Sequence, residues 1–469
     1  MSYGRRIIYT DATEITAANV ADEVRKAVMV HESNRAEIDK LYDEYRGKTA
    51  ILNKEKEVRE SINHKVNENR AYEVVSFHKG YSFGEAIQYV RRENSASDQN
   101  DDDIAADINA LNGFMSDADK AACDNDLAEW FYVGGTSYRL TLPNAGWSKN
   151  GDEPPFKLYS LDPRQTFVVY SNSVDHRPMM AVYYVQKQED HEKIYSVYTE
   201  NSYFEVQEFG GVSENPHVLG MIPIIEYPAD SSRLGVFEIV MPLLDALDEL
   251  QSNRMDDIVQ TVNSFLAIMG AQLEQETYEK LNDWKTLCLP EGTDAKYLSA
   301  SMSQSDVQTL KDDLYQSILT ICGVPNRNGG TSTSDTGSAV QLRDGWQAAE
   351  ARAKATELVF KKSEKGFLKL ILRILRDTVG TKLRLTDIET HFTRRNYENI
   401  ASKASVLISA LNSGKIHPEL CFSMSGAFVD PESAYLMSKA YVEEQERKEE
   451  EKQKKELERN ASLGRNSVS

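Results

Sequence analysis

The chain has 469 residues, of which 40% are hydrophobic and 27% charged, a composition typical of globular proteins that argues against wholesale disorder. At roughly 100–200 residues per domain, this length is sufficient for about three domains. The 54 Lys and Arg residues against 74 Asp and Glu give a formal charge of −20. This balance excludes a protein that wraps DNA with a basic surface, but not one that lets DNA pass without holding it.

Neither a secretory signal nor a membrane-spanning helix is predicted. The first residues, MSYGRRIIYTDATEI, lack the apolar segment of a signal peptide, and no run of about 18 apolar residues occurs. The four cysteines, at positions 123, 288, 322 and 421, form no CxxC pair. We therefore expect no membrane partner, and free thiols in a reducing compartment.

The first 130 residues are predicted to be mainly helical. Apolar residues spaced by four favour a helix within residues 11–65, and a further helix is expected over 104–130. Between them, residues 95–103 (SASDQNDDD) form a polar, acidic linker. The Gly134-Gly135 pair that follows the second helix is typical of a hairpin turn.

Residues 131–229 are predicted to be rich in β-strand. Residues 168–186 (VVYSNSVDHRPMMAVYYVQ) have the pattern of a strand, a turn and a second strand, and residues 193–209 repeat it with Tyr, Val and Phe. Two pairs of antiparallel strands are the simplest interpretation.

A single long helix is predicted from Gly235 to about Leu273, because apolar residues recur there every three or four positions. After a small insert with short strands, a second helix begins at Asp306 and is stopped by Gly323 and Pro325. Four acidic residues share one face of the first helix: Asp245, Asp248, Glu249 and Asp256.

Residues 326–338 (NRNGGTSTSDTGS) contain no large apolar residue. A connection of this length is long for two helices, which are usually joined by about 2–8 residues. With one base and one acid, it could slide along a polyanion without gripping it, because few positive charges release few counterions. The alternative is a flexible surface loop between helices.

The rest of the chain is predicted to be helical. A long helix is expected from about Ser338 to Val379, and residues 396–440 are helical with breaks at Gly414 and Pro431. Residues 441–459 mix acids and bases in i,i+4 pairs, which favours an exposed helix with a frayed end.

Motifs for catalysis or cofactor binding are not evident, so we expect neither an enzyme nor a cofactor. Gly47-Lys48-Thr49 looks like the end of a phosphate loop, but Tyr42 stands where that loop needs glycine, which favours a turn at a helix end. The acids at 101–103 are interpreted as a solvated loop and not a metal site. The open alternatives are a metal-dependent nucleic-acid-processing enzyme and a helical scaffold or adaptor protein.

Several segments, in the correct order, resemble the phage portal proteins of the SPP1-like family. The "GYxFGxP" element of the family has Glu85-Ala86 here in place of its usual ending. The matching segments are YDEYRGKTAILNKE (42–55) with HKGYSFGEAIQYV (78–90), LDPRQTFVVYSNSVDHRPMMAVYYV (161–185), GVPNRNGGTSTSDTGSAVQLR (323–343), FTRRNYENIASKASVLISALNSGKIHPE (392–419) and FVDPESAYLMSKAYVEEQE (428–446).

The resemblance implies an α+β, mainly α portal fold with wing, stem, clip and crown. Carried over by segment, it implies a wing at 1–234 (helical over 11–130, β-rich over 131–229), stem helices at 235–273 and 306–325, a clip at 274–305, a tunnel loop at 326–338, a long helix returning through the wing at 339–395, a crown at 396–440 and a charged tail at 441–469.

The function implied is a closed ring, generally a dodecamer, at one vertex of a tailed-phage capsid, present in the host cytoplasm during assembly and in the virion afterwards. Double-stranded DNA would pass through it without sequence-specific contacts. The implied partners are copies of the chain itself, the terminase large subunit, a head-completion adaptor, the scaffold and the major capsid protein.

Three groups of residues are predicted to serve this function. The four acids of the long helix are expected to line the DNA channel, with bulk water as the alternative environment. The clip residues expected to dock partners are Trp284, Lys285, Glu291 and Asp294. The residues of the tunnel loop expected to face DNA are Asn326, Arg327, Asn328, Gly329, Gly330, Thr331, Ser332, Thr333, Ser334 and Asp335.

Overall fold

The computed structural model describes residues 4–55, 61–92, 101–149, 151–189, 192–262, 265–269, 294–298, 304–326, 345–393, 400–428 and 431–465. Within these residues the chain is mainly helical with smaller sheets, which confirms the predicted α+β, mainly α class. It divides into two compact units, one formed by Met1–Phe83 with Met115–Lys382 and the other by Gly84–Phe114 with Leu383–Ser469.

Ten α-helices are present in the described part of the chain. They are α1 (Val20–Tyr45), α2 (Arg70–Phe83), α3 (Asp101–Asp117), α4 (Lys120–Gly134), α5 (Met241–Val262), α6 (Gln304–Cys322), α7 (Trp346–Thr378), α8 (Ile400–Asn412), α9 (Pro418–Ser425) and α10 (Pro431–Arg465).

Thirteen strands accompany these helices in the described residues. They are β1 (Ile8–Thr10), β2 (Gln88–Arg91), β3 (Thr136–Pro143), β4 (Phe156–Leu161), β5 (Thr166–Ser171), β6 (Pro178–Gln186), β7 (Lys193–Tyr198), β8 (Ser202–Gln207), β9 (Val212–Pro216), β10 (Ile224–Pro228), β11 (Phe265–Met269), β12 (Asp294–Leu298) and β13 (Ile388–His391).

Two sheets form the β-rich part of the larger unit. One has six strands in the order β1-β5-β6-β7-β8-β9, antiparallel except for the parallel β1–β5 pair, and the other has the order β10-β3-β4. The two predicted hairpins are confirmed as β5–β6 and β7–β8. These strands are rich in Val and Tyr, and their successive side chains point to opposite faces of the sheet.

Both faces of the six-stranded sheet are buried around β5 and β6. Met180 and Val182 on β6 pack in one cluster with Val20 and Val24 of α1, whereas Ala181 between them packs with residues of the three-stranded sheet. A strand covered on both sides reads as a nearly continuous apolar run, as this one does. This part of the sheet therefore forms a layer between α1 and the smaller sheet.

The hairpin predicted at Gly134-Gly135 is wrong. Phe131 lies inside α4, which continues to Gly134, and Gly135 ends the helix with φ +73° before β3 begins. A Cβ at Gly135 would lie 2.1 Å from the carbonyl oxygen of Arg233, so the position needs glycine. A glycine pair is equally typical of a helix C-terminus and of a hairpin, and here the helix signal of the preceding residues prevails.

The single helix predicted from Gly235 to Leu273 is also wrong. After a 3-10 turn at Glu238–Val240, α5 extends from Met241 to Val262, and the strand β11 follows, paired antiparallel with β12. The apolar run FLAIM fits the period of a buried strand as well as that of a helix, which is why periodicity alone could not separate them. Within residues 304–322, α6 packs against α5.

The long helix α7 packs its apolar face on the β10-β3 side of the three-stranded sheet. Phe360, Phe367 and Ile371 on this face are all 1% exposed or less. Its end at Thr378 agrees with the predicted end near Val379, while the residues just before Gly345 lie outside the described part.

The smaller unit is built from two distant stretches of the chain. Strand β2 pairs antiparallel with β13, and the side-chain amide of Asn112 on α3 exchanges two hydrogen bonds with the backbone of Tyr89. Helices α8, α9 and α10 follow, with Cys421 and Phe422 of α9 buried. From Tyr441 to Lys454, α10 is exposed at every residue except Gln445, as predicted for this charged stretch.

In the described part of the chain, no helix has the length and apolar character needed to span a membrane. The thiols of Cys123, Cys322 and Cys421 are free, as expected from their spacing.

Candidate functional site

Most residues predicted to act in the tunnel loop and the clip lie outside the described residues. In the loop this applies to all of the predicted residues except Asn326, which follows the end of α6. In the clip, Trp284, Lys285 and Glu291 fall outside, while Asp294 begins β12. The structure does describe the segments on either side of the loop, residues 304–326 and 345–393.

Helix α6 ends at Cys322 with all four of its last carbonyls hydrogen-bonded. The amides of Gly323 and Val324 bond the carbonyl oxygens of Thr320 and Leu319 at 3.2 and 2.8 Å, the pattern of a Schellman motif with glycine in the left-handed position. Two different side chains take the other two carbonyls. His78 Nε2 lies 2.8 Å from the Cys322 oxygen, and Arg352 Nη1 donates to the Ile321 oxygen at 2.7 Å.

Helix α7 begins against the same helix that holds the end of α6. The ring of Trp346 lies 6.0 Å from that of Phe77 and 6.1 Å from that of Tyr81, centroid to centroid. One turn further along α7, Glu350 accepts a hydrogen bond of 2.7 Å from the Tyr81 hydroxyl. Phe77, His78 and Tyr81 all belong to α2, which extends from Arg70 to Phe83.

The four acids predicted to share an exposed face are divided by the structure. Asp245 and Glu249 are exposed, whereas Asp248 and Asp256 are only 5% and 1% exposed. Asp248 and Asp256 are therefore covered within the chain, because residues 49–55 and 61–68 lie over their side of α5.

The two buried acids hold this covering segment in place. Asp248 accepts hydrogen bonds from the Thr49 hydroxyl at 3.2 Å and the Glu68 amide at 3.0 Å. Asp256 Oδ1 accepts from the backbone amide of His64 at 2.8 Å and lies 2.8 Å from its Nδ1. Carboxylates that accept such bonds are bound within the protein, so Asp245 and Glu249 are the two of these four acids whose side chains are exposed.

A third buried acid adds to this side of α5. Glu44 at the end of α1 is 6% exposed, and its burial together with the nearby Asp245 and Asp248 raises the pKa of its carboxyl to about 7. Burial also raises the pKa of Asp248, against the lowering effect of its hydrogen bonds to Glu68 and Thr49. The negative charge carried by Glu44 is consequently lower near neutral pH than the sequence suggests.

The segments weighed as catalytic or nucleotide sites have structural roles where they are described. Gly47 follows the end of α1 in a turn, Lys48 Nζ bonds Asp43 at 3.1 Å, and Thr49 bonds Asp248. Residues 101–103, predicted to lie in a loop, begin helix α3. Among the described residues, no group of three or more potential metal ligands is found.

Comparison with known families decides the class of this protein. A family model described as "Phage portal protein, SPP1 Gp6-like" matches residues 27–457, which includes parts of both compact units. The chain belongs to this family of phage portal proteins. The resemblance found in the sequence is thereby confirmed.

As a portal protein, the chain is a component of the virion and a structural part of the head–tail connector. This portal protein is also similar to a chain of the solved structure titled "Neck of native GTA particle computed with C12 symmetry". The two chains share 14% identity with a TM-score of 0.41, and the match covers 76% of this chain and 89% of that one. No curated protein matches the chain.

Proposed function

We propose that copies of this portal protein join side by side into a closed ring, through which double-stranded DNA enters the capsid during packaging and leaves during ejection. The observation that carries this proposal is the family match, which extends over residues 27–457. A dodecamer at one capsid vertex is the assembly we expect.

Exposed apolar side chains on the α5–α6 pair support assembly into a ring. Met255 and Ile258 on α5 are 43% and 45% exposed, and Leu310 and Ile321 on α6 are 50% and 44% exposed. A head-to-tail contact between identical copies uses two different surfaces of each chain, and it closes into a ring when the rotation fits. Neighbouring copies would cover these residues.

The parts of the ring follow from the family resemblance and the described helices. Helices α5 and α6 would form the stem, residues 274–305 the clip, residues 1–234 most of the wing, and residues 396–440 the crown. Residues 326–338 would form a tunnel loop facing DNA, and α7 would return through the wing. The clip would dock the terminase large subunit and later a head-completion adaptor, and the scaffold and major capsid protein would contact the ring during assembly.

Native mass spectrometry and negative-stain microscopy of the purified protein test the assembly. We expect a ring with a central hole and a mass near twelve times 53.0 kDa. A protein that stays monomeric under all assembly conditions would contradict the proposal.

Shortening the proposed tunnel loop tests its role. Deletion of residues 329–334 should leave ring formation unchanged but reduce the amount of full-length packaged DNA. The matched control deletes Ser173–Asp175 in the exposed β5–β6 turn, where Val174 is 100% exposed. Equal packaging by the two deletion variants would remove the loop from the mechanism.

The exposed acids of α5 supply a test of the channel. Two like-charged side chains at the wall of a narrow channel repel DNA phosphates over a Debye length of about 8 Å, which lowers friction. Asp245→Lys with Glu249→Lys should slow packaging, most strongly at low salt. The same reversal at Glu446 and Glu450 on the exposed part of α10 is the control, and equal effects would place Asp245 and Glu249 outside the channel.

We further propose that the protein itself is not an enzyme. Incubation of the purified ring with DNA and Mg²⁺ or Mn²⁺ should leave the DNA intact. Cleavage that is lost on substitution of Asp101 to Asp103 would instead support the alternative of a metal-dependent nuclease.

A further inference from the structure

The two ends of the segment at 327–344 are held by one helix. At the end of α6, the Schellman motif satisfies only two of the four carbonyls that every helix leaves without an intrahelical partner. The carbonyl of Cys322 bonds His78 of α2, and that of Ile321 bonds Arg352 of α7. The chain stays buried beyond this point, because Val324 and Pro325 are both buried.

The start of α7 is held by the neighbouring side chains of the same helix. Phe77 and Tyr81 are four residues apart on α2 and therefore lie on one face of it, where both contact Trp346. The rings of Phe77 and Tyr81 are stacked, with 5.5 Å between centroids and 13° between planes. The Tyr81 hydroxyl adds the hydrogen bond to Glu350.

Helix α2 is itself firmly embedded. Val74 and Val75 are 0% exposed, and His78 lies against Tyr132 of α4 with 5.4 Å between ring centroids. A carbonyl oxygen only accepts, so His78 must donate its Nε2 proton to Cys322. Burial lowers the pKa of His78 to about 4, which keeps the ring neutral near pH 7.

We propose that α2 is a positioning element for DNA passage, with His78 and Tyr81 as positioning residues that fix the entrance and the exit of the 327–344 segment on one embedded helix. This role rests on the proposed function of residues 326–338 as a tunnel loop. A force that moving DNA exerts on the loop is then transmitted to α2 and to α4, against which α2 packs. The two ends of the loop would keep a constant separation while DNA moves.

Hydrogen–deuterium exchange of the assembled ring tests the anchoring without any DNA. His78→Phe keeps a ring of similar size but removes the donor, and we expect amides of residues 319–326 to exchange about tenfold faster, the loss of one hydrogen bond. His78→Gln retains an N–H donor and should restore much of the protection. Arg352→Ala, at an exposed position, should affect the same amides independently of the core.

The contact at the start of α7 is tested by Tyr81→Phe, which keeps the stacked ring and removes only the hydroxyl that bonds Glu350. Exchange should rise in residues 345–352, and the fluorescence of Trp346 should change. The matched control is Tyr72→Phe on the same helix, where the side chain is 54% exposed. Exchange that is unchanged in His78→Phe and Tyr81→Phe would overturn the anchoring.

DNA-packaging assays then test whether the contacts made by α2 matter for the function of the loop. If the anchor positions the loop, His78→Phe and Tyr81→Phe should assemble into rings but reduce packaged DNA, and His78→Gln should package better than His78→Phe. Faster exchange with packaging equal to that of the parent would overturn the positioning role. The proposed function itself is tested separately, by the loop deletion described above, so the two failures are distinguishable.

Discussion

Arg139 of β3 and Glu364 of α7 form an ion pair of 3.2 Å, and the side chains of both residues are 0% exposed. The same carboxylate accepts a hydrogen bond of 2.7 Å from the Tyr227 hydroxyl and lies 3.0 Å from Lys120 Nζ. Arg139 in turn pairs with Asp124 of α4. Three elements of the larger unit are thus joined to α7 through one buried carboxylate.

Removal of Glu364 is expected to destabilise the protein strongly. Glu364→Ala leaves Arg139 and Lys120 buried with too little negative charge, and breaking a buried pair in this way costs about 3–5 kcal/mol. Urea unfolding of the variant and the parent measures the difference. Asp377→Asn breaks the exposed pair with Arg373 on the same helix and should cost less than about 0.5 kcal/mol, so equal losses would contradict the importance of the buried network.

Acid should destabilise the fold through two buried histidines. Burial lowers the pKa of His31 and of His78 to about 4, from an ordinary 6.5. The unfolded chain therefore binds protons first, and stability is lost as the pH falls from about 6.5 to 4, by about 3 kcal/mol for each histidine.

The double variant His31→Gln with His78→Gln should show a flatter dependence of unfolding free energy on pH in this window. The variant His417→Gln changes a histidine whose side chain is 60% exposed and should follow the parent curve. A double variant as steep as the parent would show that other groups control the acid response.

Glu44 should act in the opposite direction. Its folded pKa, raised to about 7 by burial and by Asp245 and Asp248, exceeds the ordinary value of 4.5. Its contribution is therefore fully present below about pH 4.5 and is lost as the pH rises through 7. Glu44→Gln should be more stable than the parent at pH 8, by about 2–3 kcal/mol, and nearly equal to it at pH 4.5.

Thermal or urea unfolding at the two pH values checks this sign. The control Glu249→Gln alters an exposed carboxyl of α5 and is expected to change stability by less than about 0.5 kcal/mol. A Glu44→Gln variant that is less stable than the parent at pH 8 would mean that the carboxylate is stabilised by a partner.

Truncation after Ala440 should leave folding and ring assembly intact. The described side chains beyond it, from Tyr441 to Lys454, are exposed with the exception of Gln445, so little apolar burial is lost. Native mass spectrometry and a melting curve measure the outcome. Truncation before Pro418 also removes the buried Cys421 and Phe422 and should lower the melting temperature, and a similar loss after Ala440 would indicate contacts made by the tail in the assembly.

Local patterns were sufficient for two of the hairpins and for several helix ends. The alternating Val and Tyr residues of β5 to β8 predicted two hairpins, and the Gly323-Val324-Pro325 stop predicted the end of α6. These features depend on neighbours in sequence: the period of two in a strand, and the left-handed glycine after a helix.

Contacts between distant residues could not be predicted in this way. Asp256 is buried because His64, 192 positions earlier, covers it. His78 gains its role from Cys322, 244 positions away, and nothing in the sequence around His78 indicates that partner. The anchoring residues of the candidate site therefore became visible only in the folded chain.

The pairing of β2 with β13 sets an order of events during synthesis. Arg91 lies opposite Ile388, so the partner strand leaves the ribosome 388 − 91 = 297 residues later. At roughly 5–20 residues per second, β2 waits about 15–60 s for its partner. During this period the unpaired strand around Tyr89 is exposed to aggregation. A translation product that stops before Ile388 keeps β2 without its partner strand and is therefore a target for chaperones and proteases.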